Sequence, residues 1–290
     1  MAQPEEKTDA AARDQLLNLD QLPPLSLATT RLIEVASDPD LEIRELASII
    51  EQDPPLTARV LGIANSAFYG QRVPIVNVER AIVQVLGLDQ VRNLSLVMAL
   101  AGSFNTRRCA NFDPADYWLR AVLTAALAAA VGRRLCDEVR CPVDALYLCG
   151  LLHNIGVLML VHVRPGEMSE VFARARDGNA ADQRAVERSL LGVDHRQAGE
   201  WLAYRWGLPG VVVHALAYTQ DPAHRGEHAG VVAILRAASQ WTDDYLNATE
   251  PALSIPGVDA ADSSAVEQEL GGRIERLRAL AGAFAQRSPA

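Results

Sequence analysis

Apolar residues along this chain recur at intervals of three and four and hardly ever alternate, so the pattern predicts helices throughout and an all-α fold. Leu32, Val35 and Ala36 form one such stripe, and Asp38-Pro39-Asp40 then breaks it and offers a cap before Leu46, Ile49 and Ile50. Asp53 followed by Pro54 reads as the N-cap and first position of a helix carrying Leu56, Val60, Ile63 and Ala64, which Gly70 closes. Asn77 caps a helix with Ala81, Ile82, Val85 and Leu86. Gly87-Leu88-Asp89 ends it and starts another through Val91, Leu94, Met98 and Ala99.

The stretch from Arg107-Arg108 to Asp113-Pro114 reads as a connection, which divides the chain. The expected organisation is a polar flexible tail over 1–20, an amino-terminal helical subdomain over 21–110, a second helical subdomain over 111–246, and a loop plus amphipathic helix over 247–290. The second subdomain begins with an Ala-rich helix, Tyr117 to Val131, and continues with the apolar run Leu146 to Val163 and a segment from Val193 to Trp206 that ends at Gly207-Leu208-Pro209. Val211 to Tyr218 and Val231 to Trp241 follow, separated by the polar, helix-breaking stretch Gln220 to Gly226. Ser264-Ala265-Val266-Glu267 matches a capping box opening one helix over 262–287, with Val266, Leu270, Ile274, Leu277, Ala281 and Phe284 on a single face. That face docks on the body of the protein by default; a partner protein or a second copy of the chain, giving a homodimer, are the alternatives.

A chain of 290 residues that is 49% hydrophobic and 22% charged has enough apolar material for real cores. Its net charge of −9 argues against a nucleic-acid surface. Cys109, Cys136, Cys141 and Cys149 form no CxxC pair, and the start from Met1 to Gln15 is polar, so reduced thiols in a cytoplasm are expected, with no zinc or disulfide framework. The run Leu146 to Val163 approaches the length of a membrane span, but His153, Asn154, His162, Gly150 and Gly156 interrupt it, and a buried core helix without membrane contact is expected.

Leu152-His153-Asn154-Ile155-Gly156 resembles the histidine-aspartate core of the HD-type metal-dependent phosphohydrolases, with asparagine in place of the aspartate. Joined to Leu22-Pro23-Pro24-Leu25, Ile50-Glu51-Gln52-Asp53-Pro54, Ala64-Asn65-Ser66-Ala67-Phe68-Tyr69-Gly70, Ala81-Ile82 to Leu86-Gly87-Leu88, Asp194-His195 and Trp206-Gly207-Leu208-Pro209, it resembles the HD-related output domain family, HDOD, across about residues 22–222. The resemblance implies a bacterial, cytoplasmic regulatory module in which an amino-terminal helical bundle packs on a degenerate HD-like bundle. It further implies no catalysis, no cofactor and a link to motility, biofilm and stress responses. The chain is similar to the stand-alone members, so its input comes from other signalling proteins or from a ligand.

On that resemblance Arg120 takes the place of the first metal histidine, Ser239 that of the last metal aspartate, and Thr219-Gln220 that of a pair of histidines. A guanidinium has no lone pair for a metal. At an effective dielectric near 20, unit charges about 4 Å apart interact by roughly 4 kcal/mol, and a divalent ion doubles the repulsion. No catalytic and no metal-binding residue is therefore expected. Arg120 instead pairs with a carboxylate or points to solvent, or, with His153 and Asn154, lines a vestigial cleft for a nucleotide or another anion. His153 alternatively reads as a hydrogen-bonded core residue. His195 follows Asp194 and reads as a histidine held by a carboxylate, and His214 has no ligand partner at metal spacing. Asn65 and Ser66 are expected to satisfy backbone groups at a helix end, with Phe68 and Tyr69 in the core where the bundles meet.

Overall fold

The structure, a computed structural model, describes residues 22–66, 69–70, 72–139, 143–175, 180–219, 221–249, 251, 253–255 and 260–285. The tail expected over 1–20, Phe68, Gln220, and the side chains of Cys136 and Cys141 lie outside them. Every regular element is helical among the described residues, as the apolar spacing predicts. The amino-terminal bundle is α1 (Leu27–Glu34), α2 (Ile43–Glu51), α3 (Pro54–Ala64), α4 (Val78–Ala81), which runs into a π-helical turn over Ile82–Leu86, and α5 (Leu88–Gly102).

Local chemistry sets most of these boundaries. Asp53 Oδ1 accepts from Leu56 N at 3.0 Å with Pro54 at the first helical position, and Asn77 Oδ1 accepts from Arg80 N at 2.8 Å. Gly87, at φ 82°, turns the chain from the π-helical segment into α5. Asp38 departs from expectation: it accepts from Asp40 N at 2.9 Å in a turn, and α2 starts only at Ile43 with no side-chain cap. Nor does Gly70 close α3. Asn65 ends it and then reaches across to Ile75, accepting from its N–H and donating to its carbonyl, both at 2.8 Å, so one amide imitates a strand partner and fastens the 72–77 loop. The Ser66 hydroxyl, by contrast, is buried without a hydrogen bond.

The second half is built round α6 (Pro114–Val139), against which α7 (Val143–Leu152), α13 (Ala229–Leu246), α14 (Ala260–Gly271) and α15 (Ile274–Ala285) pack. Alanine makes that crowding feasible. A Cβ built on Gly150 would stand 2.4 Å from Ala125 Cα, so α6 and α7 meet backbone to backbone. Between α7 and α13 come α8 (Ile155–Val163), α9 (Pro165–Ala175), α10 (Ala180–Leu191), α11 (His195–Arg205) and α12 (Gly210–Tyr218).

The run expected as a single core helix is thus two, α7 and α8, broken where Asn154 leaves helical geometry at φ −113°, ψ 20°. Taken whole, Val143–Val163 has the length and hydropathy to cross a membrane, alone among the described residues, and 78% of its most apolar window is buried inside the fold. The C-terminal helix is also divided, at Gly271-Gly272, and Ser264 lies inside α14 instead of capping it. Its apolar face docks on α6 and α3, with Phe284 stacked on Trp118 at 4.7 Å between ring centroids.

The two bundles share one continuous core running from Leu32 to Phe284. The connection between them is strapped down by Asn105 N donating to His162 Nδ1 at 2.9 Å and Asn111 Nδ2 donating to the Ser169 carbonyl at 2.9 Å.

The tightest approach is at Gly156, where an added Cβ would stand 1.7 Å from the His195 carbonyl oxygen and 2.5 Å from Gly199 N. Gly156→Ala is expected to destabilise the protein by about 3 kcal/mol, because only backbone stands in its way. Gly282→Ala, mid-helix with nothing within 4 Å, is expected to stabilise by about 0.5–1 kcal/mol. Urea unfolding of the two variants tests the opposite signs; equal midpoints would contradict the packing.

Candidate functional site

Four helices aim charged or imidazole side chains into one region of the second bundle. Arg120 projects from α6, His153 stands at the end of α7, His195 begins α11, and Asp243 lies on α13. The Arg120 guanidinium is held twice, its Nε donating to Asp116 Oδ2 at 2.8 Å and its Nη1 to Asp243 Oδ1 at 2.7 Å. Next to this pair, the buried hydroxyls of Thr124 and Thr242 join the same two helices at 3.1 Å. Desolvation works against the cation, but the two carboxylates outweigh it and leave Arg120 more firmly protonated than a free arginine. Burial raises the Asp243 carboxyl above its usual range, although Arg120 pulls it back down.

His153 is 8% exposed, and its Nδ1 lies 2.7 Å from the Gly150 carbonyl. A carbonyl only accepts, so Nδ1 carries the proton and Nε2 is left with a lone pair. Through this bond the ring satisfies a carbonyl in the last turn of α7, where no intrahelical donor is available. Desolvation drives its pKa down to about 4 against the upward pull of the Gly150 carbonyl, and the nearby His195 and Arg120 lower it further. His153 is therefore neutral at physiological pH.

His195 is held by a carboxylate, as expected, and that carboxylate is the fully buried Glu187 of α10, not the adjacent Asp194. Glu187 accepts from the His195 backbone N–H at 2.9 Å and lies 2.7 Å from its Nδ1. Burial alone would raise the Glu187 carboxyl; His195 and Gln183 together bring it below the ordinary range. Asp194 instead caps α11 in a capping box with Gln197 and pairs with Arg188 at 2.5 Å and Arg196 at 3.3 Å.

Of the three residues expected in a vestigial cleft, Arg120 and His153 come within electrostatic reach of each other. Asn154 occupies the cap position of α8 without a side-chain cap, its backbone carbonyl accepting from Val157 N at 2.9 Å. Ser239 lies one helical turn before Asp243, so α13 does present a carboxylate, displaced by four residues from the expected position. At the position of the histidine pair, the Thr219 hydroxyl is turned back to donate to the Ala215 carbonyl.

This donor set does not fit the metal centre of an HD-type hydrolase. Its one well-placed carboxylate is neutralised by a fixed guanidinium, and the residue after His153 is a neutral amide. Asp243 and Glu187 escaped sequence reading. The one signal for Asp243 was its place a turn beyond Ser239, and Glu187 lies next to the apolar positions Val186, Leu190 and Leu191, where a carboxylate reads as solvent-facing.

Comparison with known proteins places the whole arrangement. A model of the HDOD domain matches residues 22–222. An uncharacterised protein of Treponema pallidum (strain Nichols) is 25% identical over 250 residues, covering 86% of this chain but 47% of that protein, so the chain spans about half the length of that relative. A protein of Marinobacter aquaeolei VT8, provisionally described as a signal transduction protein, is 27% identical with a TM-score of 0.78, over 96% of this chain and 67% of that one. An HDOD domain protein of unknown function from Geobacter sulfurreducens, 24% identical over 96% of this chain and 98% of that one, shares the fold with a TM-score of 0.74.

The neutral state of His153 gives stability a defined pH dependence. Below about pH 6.5 the unfolded chain takes up a proton that the folded ring refuses until about pH 4. This contribution is full above pH 6.5 and is lost as pH falls toward 4, a cost of about 2 kcal/mol at pH 5. Urea unfolding at pH 7.5 and pH 5 measures it. His153→Gln is expected to flatten that interval, and an unchanged slope in the variant would remove His153 as its source.

Proposed function

Because this chain belongs to the HDOD domain family and carries a guanidinium where a hydrolase needs a metal ligand, we propose that it is a non-catalytic regulatory module. It acts by binding another signalling protein in a bacterial cytoplasm. The observation that carries this reading is the ion pair of Arg120 with Asp116 and Asp243, in which the cation that an HD enzyme takes from solution is supplied covalently by the chain. The signal-transduction description of the Marinobacter protein points the same way.

Five of the seven large hydrophobic side chains exposed among the described residues, Leu27, Ile43, Val73, Val76 and Val83, belong to the amino-terminal bundle, which favours that end as the contact surface. Val73 and Val76 flank Ile75, which the Asn65 clasp draws into the core while its neighbours stay outside.

Purified protein given Mg2+ or Mn2+ and a phosphodiester substrate is expected to release no product. Turnover that disappears in His153→Ala would overturn the non-catalytic reading. In pull-downs from the source bacterium, the double variant Val76→Asp, Val83→Asp is expected to lose a partner that the wild type holds, with its melting temperature unchanged.

A second reading, a sensor of nucleotides or other anionic metabolites, is favoured by a cavity of about 450 Å³ between the bundles. Its wall includes Arg59, Arg107, Phe104, Trp118 and Phe284, combining guanidinium groups with aromatic faces. The Arg120 cleft is the other candidate, although a ligand there must displace two carboxylates. Calorimetry with a nucleotide panel distinguishes the two: Arg107→Ala abolishes binding in the cavity, Arg120→Ala binding in the cleft, and no heat with any nucleotide removes the sensor.

A further inference from the structure

The other imidazole cluster of this protein lies at the corner between α12 and α13, among residues the HD-type site does not use. His214 sits in the middle of α12. Glu227 and His228 immediately precede α13, and one ligand atom from each of the three lies within 4.8 Å of the others. Sequence spacing gave His214 no partner because Glu227 lies 13 positions further along, across the polar stretch that reverses the chain. Folding alone brings them together.

The geometry points to a transition-metal site here: we infer that His214, Glu227 and His228 bind a borderline divalent ion of the zinc type, leaving a fourth position open to water or to a group from outside. Ligand atoms about 2.0–2.2 Å from a tetrahedral ion lie roughly 3.4 Å apart. His228 Nε2 and Glu227 Oε1, at 3.5 Å, already span such an edge. The His214 and His228 rings lie 5.3 Å apart between centroids, inclined at 49°, so a small side-chain adjustment closes the remaining edges. The Nδ1 atom of His214 is buried without a hydrogen-bond partner, which leaves an imidazole nitrogen unsatisfied in the ion-free chain.

The backbone around the cluster is held in place. His228 adopts a left-handed conformation, φ 59° and ψ 22°, which a residue with a Cβ seldom takes. The loop carrying Glu227 is supported by His224, whose Nε2 lies 3.0 Å from the Glu227 carbonyl and whose ring stacks on Tyr218 at 4.2 Å. Arg225 turns its guanidinium away to the carbonyls of Pro222 and His224, both at 2.9 Å, so it balances backbone dipoles and leaves the carboxylate of Glu227 unpaired with it.

Two imidazoles and one carboxylate select Zn2+, Co2+ or Ni2+ over Mg2+ or Ca2+, which prefer all-oxygen shells. An ion bridging α12 to the start of α13 clips together the corner from which α13 runs to Asp243. Binding is therefore expected to raise the melting temperature of the whole protein.

The test uses full-length protein stripped of metal with a chelator and titrated with Zn2+ by calorimetry and with Co2+ by visible absorption. One equivalent is expected to bind, with the intense d–d bands of a four-coordinate Co2+ site and a zinc-dependent rise in melting temperature. Glu227→Gln, an exposed side chain whose loss leaves folding intact, is expected to weaken Zn2+ affinity about ten-fold, and His228→Asn about a hundred-fold. His153→Gln is expected to leave the Co2+ spectrum unchanged. No binding, binding that both corner variants leave unaltered, or a spectrum lost in His153→Gln would each overturn the assignment, the last by placing the ion in the Arg120 cleft.

Discussion

Gly156 lies against the start of α11 at a distance that admits no side chain, and the arrangement of the second bundle follows from that contact. To bring α8 so near α11, the apolar run must break between Leu152 and Ile155, and the break leaves His153 at a helix end instead of on a continuous helical face. Gly150 makes the matching approach to Ala125 on the other side. Two backbone contacts thus fix α7 and α8 between α6 and α11, and the side chains at their junction face one another because the backbones leave no other course. This is a constraint of shape, and it holds whatever residues supply the chemistry.

Within that shape the charges have been rearranged. An HD enzyme needs a cluster of anionic and imidazole donors whose mutual repulsion a divalent ion relieves. Here the relief is internal: Arg120 stands between Asp116 and Asp243, His153 is neutral and bonded to Gly150, and Glu187 is satisfied by His195. Each buried charge has an opposite charge or a hydrogen-bond donor beside it, the condition under which buried ions are tolerated. Two separate guanidinium nitrogens of Arg120, Nε and Nη1, each donate to one oxygen of a different carboxylate. The cluster is therefore stable as it stands, with its charges compensated by the chain itself.

Features decided by short-range chemistry were legible in the sequence. Asp53 with Pro54, and Asn77, announce helix starts because a cap needs only the next three residues. The pairing of Arg120 with a carboxylate follows from the charge of a guanidinium. What remained hidden depended on contacts across many residues. Asp243 needed the phase of α13 relative to α6, and Glu187 is a fully buried carboxylate whose partner, His195, lies on the next helix. The expectation of one helix through His153 failed because apolar composition records burial and not the place where two backbones must touch. The capping box at Ser264 was likewise a local match overridden by packing, since α14 begins four residues earlier and Gly271-Gly272 breaks the segment instead.

The two imidazole clusters differ in the way that separates a retired site from a usable one. In the HD-like cleft the donors are turned on their neighbours: His153 through Nδ1 to a carbonyl, His195 to Glu187, Asp243 to Arg120. An incoming ion must break those bonds and also face a fixed positive charge. At the α12–α13 corner the carboxylate of Glu227 is solvent-exposed and His214 Nδ1 has no partner, so an ion breaks little on entering. Both clusters involve α13, one before its first turn and one toward its end. A change in how firmly the start of that helix is held therefore reaches Asp243 through a single rigid element, and from there the ion pair that fixes α6.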